Sequence, residues 1–586
     1  MLAILAPRFG KRLPFRTEEM GTQASTRWFR RLHPAWVGLV GFALYARTIG
    51  FEFVNLDDPW LIRDNKLLQQ PSLAAVWRIL GDFSPEQRFR LGAEYLPVRD
   101  LSVMMDYAMY GDWIGGQHLT QVLLYAGTCA ILASLVLALF EDVRLAWISG
   151  LLFTTHPVHV EVVSWLSERK GMLGSFLLGV SLLLATHYLL RGGRVRAVSA
   201  CIVFLLAVAA KALTIAGIAA VVLIALWVRL GIPRARVLAF CAAYTVCGLV
   251  PFVPNVLVSS SLGVIEPYHG SGFVDTLLLF FQAHTQYLEL MSYSGPYATQ
   301  YAVKPGGAGL WSWLPGALVA TAALAWVIAA ILDRSRRTPA AFGVAWWLIF
   351  LAPVSHILVP VQNYAADRYL FLPSFGLLVV LAGFLARLPR AVGLPLTVAA
   401  LAISCGWTVV QTPVWSSSER LLDNATRVTP THALAWDKLA ALAEERQEHG
   451  LAWSYATRGL EHSPGHWRLL HRQALLLAGR GDVDGAIHRM HDAASASESD
   501  LVYANLALLY LKRHRLDDAR VAAENAVRLQ PASARNQRAL GIVMVELKEL
   551  QAACHAFERA AEIDPFDQDN LRNLALCSPT PERGAP

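Results

Sequence analysis

The sequence carries little charge. Asp, Glu, Lys and Arg make up 16% of its 586 residues, against about 25% in ordinary soluble domains, and mean hydropathy is +0.40. Several motifs are missing as well. There is no Gly-rich phosphate loop closed by Lys and Ser/Thr, which disfavours nucleotide-driven transport. The seven cysteines include no CxxC pair and no zinc-type spacing. Cys129, Cys201, Cys241, Cys247 and Cys405 lie inside apolar runs; Cys554 and Cys577 fall near the C-terminus, where a disulfide is one open reading. The short apolar run at 2–6 has neither an adequate hydrophobic region nor a cleavage site, so a removed signal peptide is not expected. A formal net charge of +7 does not point to nucleic acid, because the basic residues occur in short clusters between apolar runs, where they act as topology signals.

The charge deficit is uneven. Apolar runs fill 35–410, and the composition turns ordinary after about 415. A membrane-spanning helix needs about 20 apolar residues. Spans are expected near 35–53, 118–140, 145–163, 172–190, 197–213, 214–230, 237–258, 310–332, 342–360, 370–387 and 391–410, with 273–295 read as re-entrant or interfacial. About 11 spans then place the clusters Arg27–Arg31, Arg191–Arg196, Arg229–Arg236, Arg334–Arg337 and Arg387–Arg390 on one side, which makes that side cytoplasmic. Residues 1–34 become a cytoplasmic basic arm, and the C-terminus falls outside.

A period of 34 residues follows a linker at 411–432. The units are 433–466, 467–499, 500–533 and 534–567, with 568–586 as a tail. The third shows Tyr503, Leu506, Ala507, Tyr510, Ala519, Ala526 and Pro531; the fourth shows Leu540, Gly541, Ala553, Phe557, Ala560 and Pro565; the first shows Trp436, Leu439, Ala440, Ala452 and Pro464. The second is degenerate and lacks the proline. These are the places of the tetratricopeptide (TPR) repeat, a helix pair that buries its apolar face only against a neighbour. The fold class is therefore all-α: a polytopic membrane domain followed by a TPR α-solenoid. The array is either a docking surface for a peptide or protein, or a rigid cap.

In this topology the polar clusters near the spans gather on the extracytoplasmic side. Asp57 and Asp58 follow the first span. The long first loop adds Tyr95, Arg99 and Asp106, and His118 opens the second span. His156, His159, Glu161, Glu168, Arg169 and Lys170 lie between spans three and four, Lys211 between five and six, and Asp367 and Arg368 between nine and ten. Ionisable groups at membrane depth are costly and usually functional. Each has a plainer reading too: a solvated loop start, a helix-terminal histidine, an interface anchor, or an Asp367–Arg368 pair. The two histidines with Glu161 have metal-ligand chemistry, but no HExxH is present and no third ligand is fixed, so no metal is assigned. A lipid-linked substrate would need Arg, Lys or His donors for its phosphate at the outer interface, and an attacking hydroxyl would need a carboxylate base. The set supplies both.

The acidic pair, the stretch HPVHVEVVSWLSERKGML at 156–173, the stretch ADRYLFLPS at 366–374 and the trailing repeats together resemble the transmembrane and TPR-containing protein O-mannosyltransferases of the GT-C glycosyltransferase superfamily. The resemblance covers about 35–570. It implies a GT-C-like membrane domain, a polyprenyl- or dolichyl-phosphate sugar as donor, and Ser/Thr hydroxyls of an extracytoplasmic protein as acceptor, with inversion in a single displacement. It implies Asp57 as general base and Asp58 as its orienting partner. It makes Arg99, His156, His159, Arg169, Lys211 and Arg368 candidates for the donor phosphate, and Glu161 a group that holds a histidine or the sugar. The sequence departs from the family pattern where Gln121 and Tyr125 replace an Asn and a His, and where Ala212 replaces an acid. These changes permit another sugar or an inactive relative. The Ala-, Leu- and Arg-rich composition suggests a bacterial inner membrane with a periplasmic array and an undecaprenyl-type donor; a eukaryotic source would place the array in the ER lumen. A non-catalytic scaffold whose repeats recruit envelope proteins is the competing reading. A flippase would want deep intramembrane charges and an inverted repeat, neither of which is clear.

Overall fold

The computed structural model describes residues 22–264, 272–293, 296–299, 301, 309–358, 363–565 and 567–577. Most of the expected basic arm (1–21) and the end of the tail (578–586) lie outside the described residues. Every regular element among the described residues is helical.

Among the described residues six helices are long and apolar enough to cross a membrane: Ile114–Phe140, Leu166–Arg191, Arg234–Ser261, Leu314–Leu332, Asp367–Arg387 and Arg390–Ser416. They make this a multi-pass membrane protein. All six match expected spans. The full set of eleven does not reappear as eleven long helices, and the reasons are local. The run at 145–163 is a helix only over Val143–Thr155. His156 precedes Pro157, and the residue before a proline is pushed out of the α region; the chain continues as a 3-10 turn, Pro157–His159, and a short helix, Val160–Ser164. The run at 197–213 stops at Ala210, where Lys211 turns extended. The run at 342–360 gives Pro339–Leu351 and a turn at Ala352–Val354 containing Pro353; residues 359–360 are not described. At 35–53 the helix Thr22–Tyr45 passes into the 3-10 turn Ala46–Gly50. The segment expected to be re-entrant or interfacial is one continuous helix, Phe273–Met291.

Small residues set the closest helix approaches, as is common in membranes. A Cβ on Gly343 would lie 2.3 Å from the carbonyl of Gly376, and one on Gly376 would lie 2.2 Å from that of Gly343. The backbones of Pro339–Leu351 and Phe371–Arg387 therefore touch. A Cβ on Gly174 would meet the Lys211 Cβ at 2.7 Å, so this glycine lets Lys211 lie against the helix that begins with Glu168 and Arg169.

The linker holds the helix Ser418–Val428. Four helix pairs follow at the expected period, from Ala433–Glu445 with His449–His462 to Ala534–Glu546 with Leu550–Ile563. The repeat residues behave as the period demands: Ala440, Leu506, Ala507, Ala519, Ala526, Phe557 and Ala560 are buried, and Gly541 leaves room for the Phe557 ring, which a Cβ would strike at 2.3 Å. Cys554 and Cys577 are joined by a disulfide that fastens the short final helix Gln568–Ala575 to the last pair.

The array is not suspended on a free linker. At its first end Ser418 Oγ accepts from the Asn55 amide (2.8 Å), and Lys438 Nζ donates to Asn55 Oδ1 (3.3 Å). At its far end Arg559 pairs with Glu86 (2.6 Å) and Asp564 with Arg90 (3.0 Å). The repeats thus contact the loop that follows the first helix at two separate places.

Candidate active site

The acidic pair splits in role. Asp58 is buried, 1% exposed. Its Oδ2 accepts from the Val54 amide (3.1 Å) and its Oδ1 from the amide (2.9 Å) and hydroxyl (2.5 Å) of Ser167. Burial pushes its carboxyl up to about 6, against the pull of these hydrogen bonds. Asp58 therefore buckles the first loop to the 3-10 turn Leu166–Glu168. Asp57 is half-buried, and among the described residues its carboxylate accepts no hydrogen bond.

The same turn carries a second device one residue on. Glu168 holds Lys211 at 3.2 Å and lies 3.8 Å from Arg368 Nε; Arg368 Nη1 is 2.5 Å from Glu161. Glu161 also accepts from the Arg368 amide (3.2 Å), and the guanidinium stacks 5.6 Å from the Trp165 ring. Lys211 and Arg368 keep 16% and 12% of their side chains exposed, and both line one open cavity. Its walls combine Glu168, Ser175 and Thr214 with apolar Val162, Leu213, Phe350 and Phe371. Such a cavity offers cations and hydroxyls to a phosphate or sugar and an apolar wall to a hydrocarbon chain.

The other predicted donors are engaged elsewhere. Arg169 pairs with Asp106 (2.7 Å) and donates to Gln121 Oε1 (2.9 Å) and the Gln117 carbonyl (2.8 Å). Arg99 pairs with Asp100 (2.7 Å) and Glu94 (3.2 Å). Both side chains are 2% exposed. They sit on a separate narrow gap beside Leu61, Ile62 and Ser167 and brace the loop against the bundle. Glu94 reaches on to Lys170 (2.7 Å); burial would raise its carboxyl, but Lys170 and Arg99 outweigh that and hold it near 2. His156 and His159 are fully buried. His156 Nδ1 accepts from the Val158 amide, its Nε2 lies 3.4 Å from the Met291 carbonyl, and the ring stacks on Tyr293. His159 bridges Tyr125 (3.2 Å) and Ser374 (2.9 Å). Both are helix-terminal histidines with committed nitrogens, outside the cavity wall. Among the described residues no group of three or more His, Cys, Asp or Glu is arranged to hold a metal.

The departures from the family pattern have structural partners. Gln121 donates to the Val162 carbonyl (2.7 Å) while receiving Arg169, and Tyr125 donates to the Thr154 carbonyl (2.7 Å). Ala212 offers no carboxylate, and Lys211 pairs instead with Glu168 at 3.2 Å. Sequence reasoning missed Glu94, Asp100, Ser167 and the Tyr301–Asp367 hydrogen bond as parts of the site. The usable signal was the cations themselves, since a charge taken out of water requires a counter-charge.

No family model matches the chain. It is similar to protein O-mannosyl-transferase tmtc2 of Xenopus laevis, 31% identical over 147 residues, which is 25% of this chain and 17% of that relative. The TMTC2 protein of Homo sapiens is 30% identical over 146 residues, with the same shares, and the TMTC4 protein of Homo sapiens 25% identical over 162 residues, 24% of this chain and 22% of the relative. The chain thus spans less than a quarter of the length of these relatives. Each match is thus a local likeness to these O-mannosyl-transferases, confined to about a quarter of this chain. Among solved structures, YrrB, a TPR protein with an unusual peptide-binding site, is 17% identical and covers 27% of this chain and 81% of its own, with a TM-score of 0.23. TTC0263, a thermophilic TPR protein of Thermus thermophilus, is 16% identical, covers 32% and 96%, and has a TM-score of 0.25.

Proposed function

We propose that this TMTC-like chain is a membrane glycosyltransferase that moves a hexose, mannose in its named relatives, from a polyprenyl- or dolichyl-phosphate donor to Ser/Thr hydroxyls of extracytoplasmic polypeptides. One observation carries the reading: the turn Leu166–Glu168 links a buckled acidic pair, through Ser167, to a cation-walled cavity, through Glu168. The half-buried Asp57 carboxylate is the general base. It takes the acceptor hydroxyl's proton as the oxygen attacks the anomeric carbon from the face opposite the phosphate. The bond from that carbon to the phosphate oxygen breaks, and its electron pair leaves with the lipid phosphate. Lys211 and Arg368 balance the departing charge. Glu161 fixes the guanidinium, and Asp58 fixes the turn that presents Asp57. Positioning and pre-oriented charge supply most of the acceleration. The contacts between array and first loop support an array on the same side as Asp57, where it would hold the acceptor polypeptide.

Intact-mass glycoproteomics of envelope or lumenal proteins tests this, comparing wild type with a folded Asp57→Asn/Asp58→Asn variant. Hexose masses should vanish from Ser/Thr peptides. An unchanged glycan profile, with a phenotype on deletion of 433–567, would replace the enzyme by the scaffold reading.

A further inference from the structure

In three of the four repeats the first helix carries a polar residue at its sixth position that reaches backward. In the second repeat this is Arg472, which donates to Asp437 of the first (2.8 Å). In the third it is Asn505, which contacts His471 of the second (2.8 Å). In the first repeat it is Lys438, which has no repeat behind it. What lies there is the acidic turn: Lys438 Nζ donates to Asn55 Oδ1, two residues before Asp57. The turn is held from the same side by Ser418 Oγ on the Asn55 amide and by the Ser416 carbonyl on the Glu52 amide (3.3 Å). The linker helix Ser418–Val428 packs its Leu422 and Ala425 against Trp436 and Leu439 of the first repeat, and the loop meets the same repeat through Lys438. Burial presses the Lys438 ammonium below its usual value; Asp437 and then Asp57 support its charge, while Arg468 and Arg472 oppose it.

We infer that Lys438 is a positioning residue for the acidic turn, so that the first repeat forms one wall of the acceptor site and the transfer step depends on the array being seated there. This rests on the proposed transfer at Asp57 and goes beyond it, because an array that merely captured acceptor would act on acceptor affinity alone. Nothing in the solenoid requires a cation at this position: the fourth repeat places Ala539 there, buried. The ammonium serves the loop. It holds Asn55, and with it the direction in which Asp57 is presented, and it offers a fixed positive charge beside the base.

The test uses the full-length chain in membranes, with polyprenyl-phosphate mannose and a Ser/Thr-rich peptide as probes. Lys438→Ala should lower kcat about tenfold or more while leaving the KM for the donor unchanged. Lys438→Arg, which retains the cation and a donor, should recover most of the rate. Asn55→Ala, which removes the other half of the bond and leaves the repeat intact, should reproduce the loss. Amide exchange over 433–445 checks that the repeat stays folded. If Lys438→Ala and Asn55→Ala keep the wild-type kcat while Asp57→Asn is inactive, this inference fails and the enzyme stands. A change confined to the KM for the peptide also overturns it. If the wild type transfers no sugar, or Asp57→Asn keeps its rate, the proposed function falls and this inference with it.

Discussion

Lys211 and Glu168 allow stability and donor binding to be separated within one pair. Glu168 is 4% exposed on its side chain. Lys211→Met leaves it with Lys170 and with Arg368, the latter at 3.8 Å, as its remaining cations. Breaking a buried pair by removing one partner costs about 3–5 kcal/mol, because the other charge stays buried. The single variant should therefore unfold at a clearly lower temperature. Lys211→Met/Glu168→Gln removes both charges and should regain most of that loss. Donor binding follows another rule. A charge-assisted hydrogen bond contributes about 1.5–3 kcal/mol, or roughly 10- to 150-fold at about 1.4 kcal/mol per decade. Both variants should raise the donor KM by that factor, the double variant despite its recovered stability. Glu168→Gln alone should act in the opposite direction. Glu168 and Glu161 both pair with the cavity's two cations, so removing the Glu168 carboxylate leaves more of that positive charge for an anionic phosphodiester and should lower the donor KM. The assays are donor-dependent sugar transfer to a Ser/Thr peptide and thermal unfolding followed by tryptophan fluorescence. A double variant with the wild-type donor KM would remove Lys211 from the phosphate site. A single variant as stable as the wild type would refute the argument from burial.

Asp57→Asn should lower kcat by about 10²–10⁴, the usual contribution of a general base, with unchanged thermal unfolding, since no hydrogen bond of its carboxylate is lost; turnover and unfolding on one preparation check both. Asp58 binds a proton more tightly folded, at about 6, than unfolded, near 3.9. Its share of stability is full below about pH 4 and is lost as pH rises to about 6, roughly 3 kcal/mol in all; a pH series of unfolding midpoints should show this fall in the wild type and a flatter profile in Asp58→Asn. The Cys554–Cys577 bridge closes a loop with a sequence separation of 23, which chain entropy sets at about 3 kcal/mol. Its double Ala variant should increase amide exchange in Leu550–Ile563 and Gln568–Ala575, and equal exchange in the two proteins would contradict the estimate.

The repeats were readable because their signal is local and periodic: Ala440, Leu506, Ala507 and Phe557 recur where a stacked helix pair needs small or large apolar groups. The membrane domain was readable as helices but not as uninterrupted ones. Hydropathy sees an unbroken apolar run at 145–163, whereas backbone sterics at His156-Pro157 break it, and Lys211 ends another run by turning extended. At the candidate site, charge at membrane depth singled out Arg99, Arg169, Lys211 and Arg368 together, but only the fold separates the two that face the cavity from the two that brace the loop. For the histidine pair, spacing reports proximity along a turn, not which partners the ring nitrogens of His156 and His159 take. Lys438 was invisible, since its partner Asn55 is 383 positions away and a lysine on a repeat helix looks like any solvated cation.

An open solenoid gains or loses units with little penalty, because each repeat answers only to its neighbours. This array answers to two fixed points. Lys438 meets Asn55 at one end, and three hairpins later Arg559 and Asp564 meet Glu86 and Arg90. Removing or inserting a single hairpin would shift the far end by at least one interaxial distance, about 10 Å, out of reach of its ion pairs. Repeat number is thereby a dimension of this molecule, like the span of a bridge between two piers. A chimera that borrows a longer or shorter array must therefore move the short helix Pro85–Arg90 to receive it.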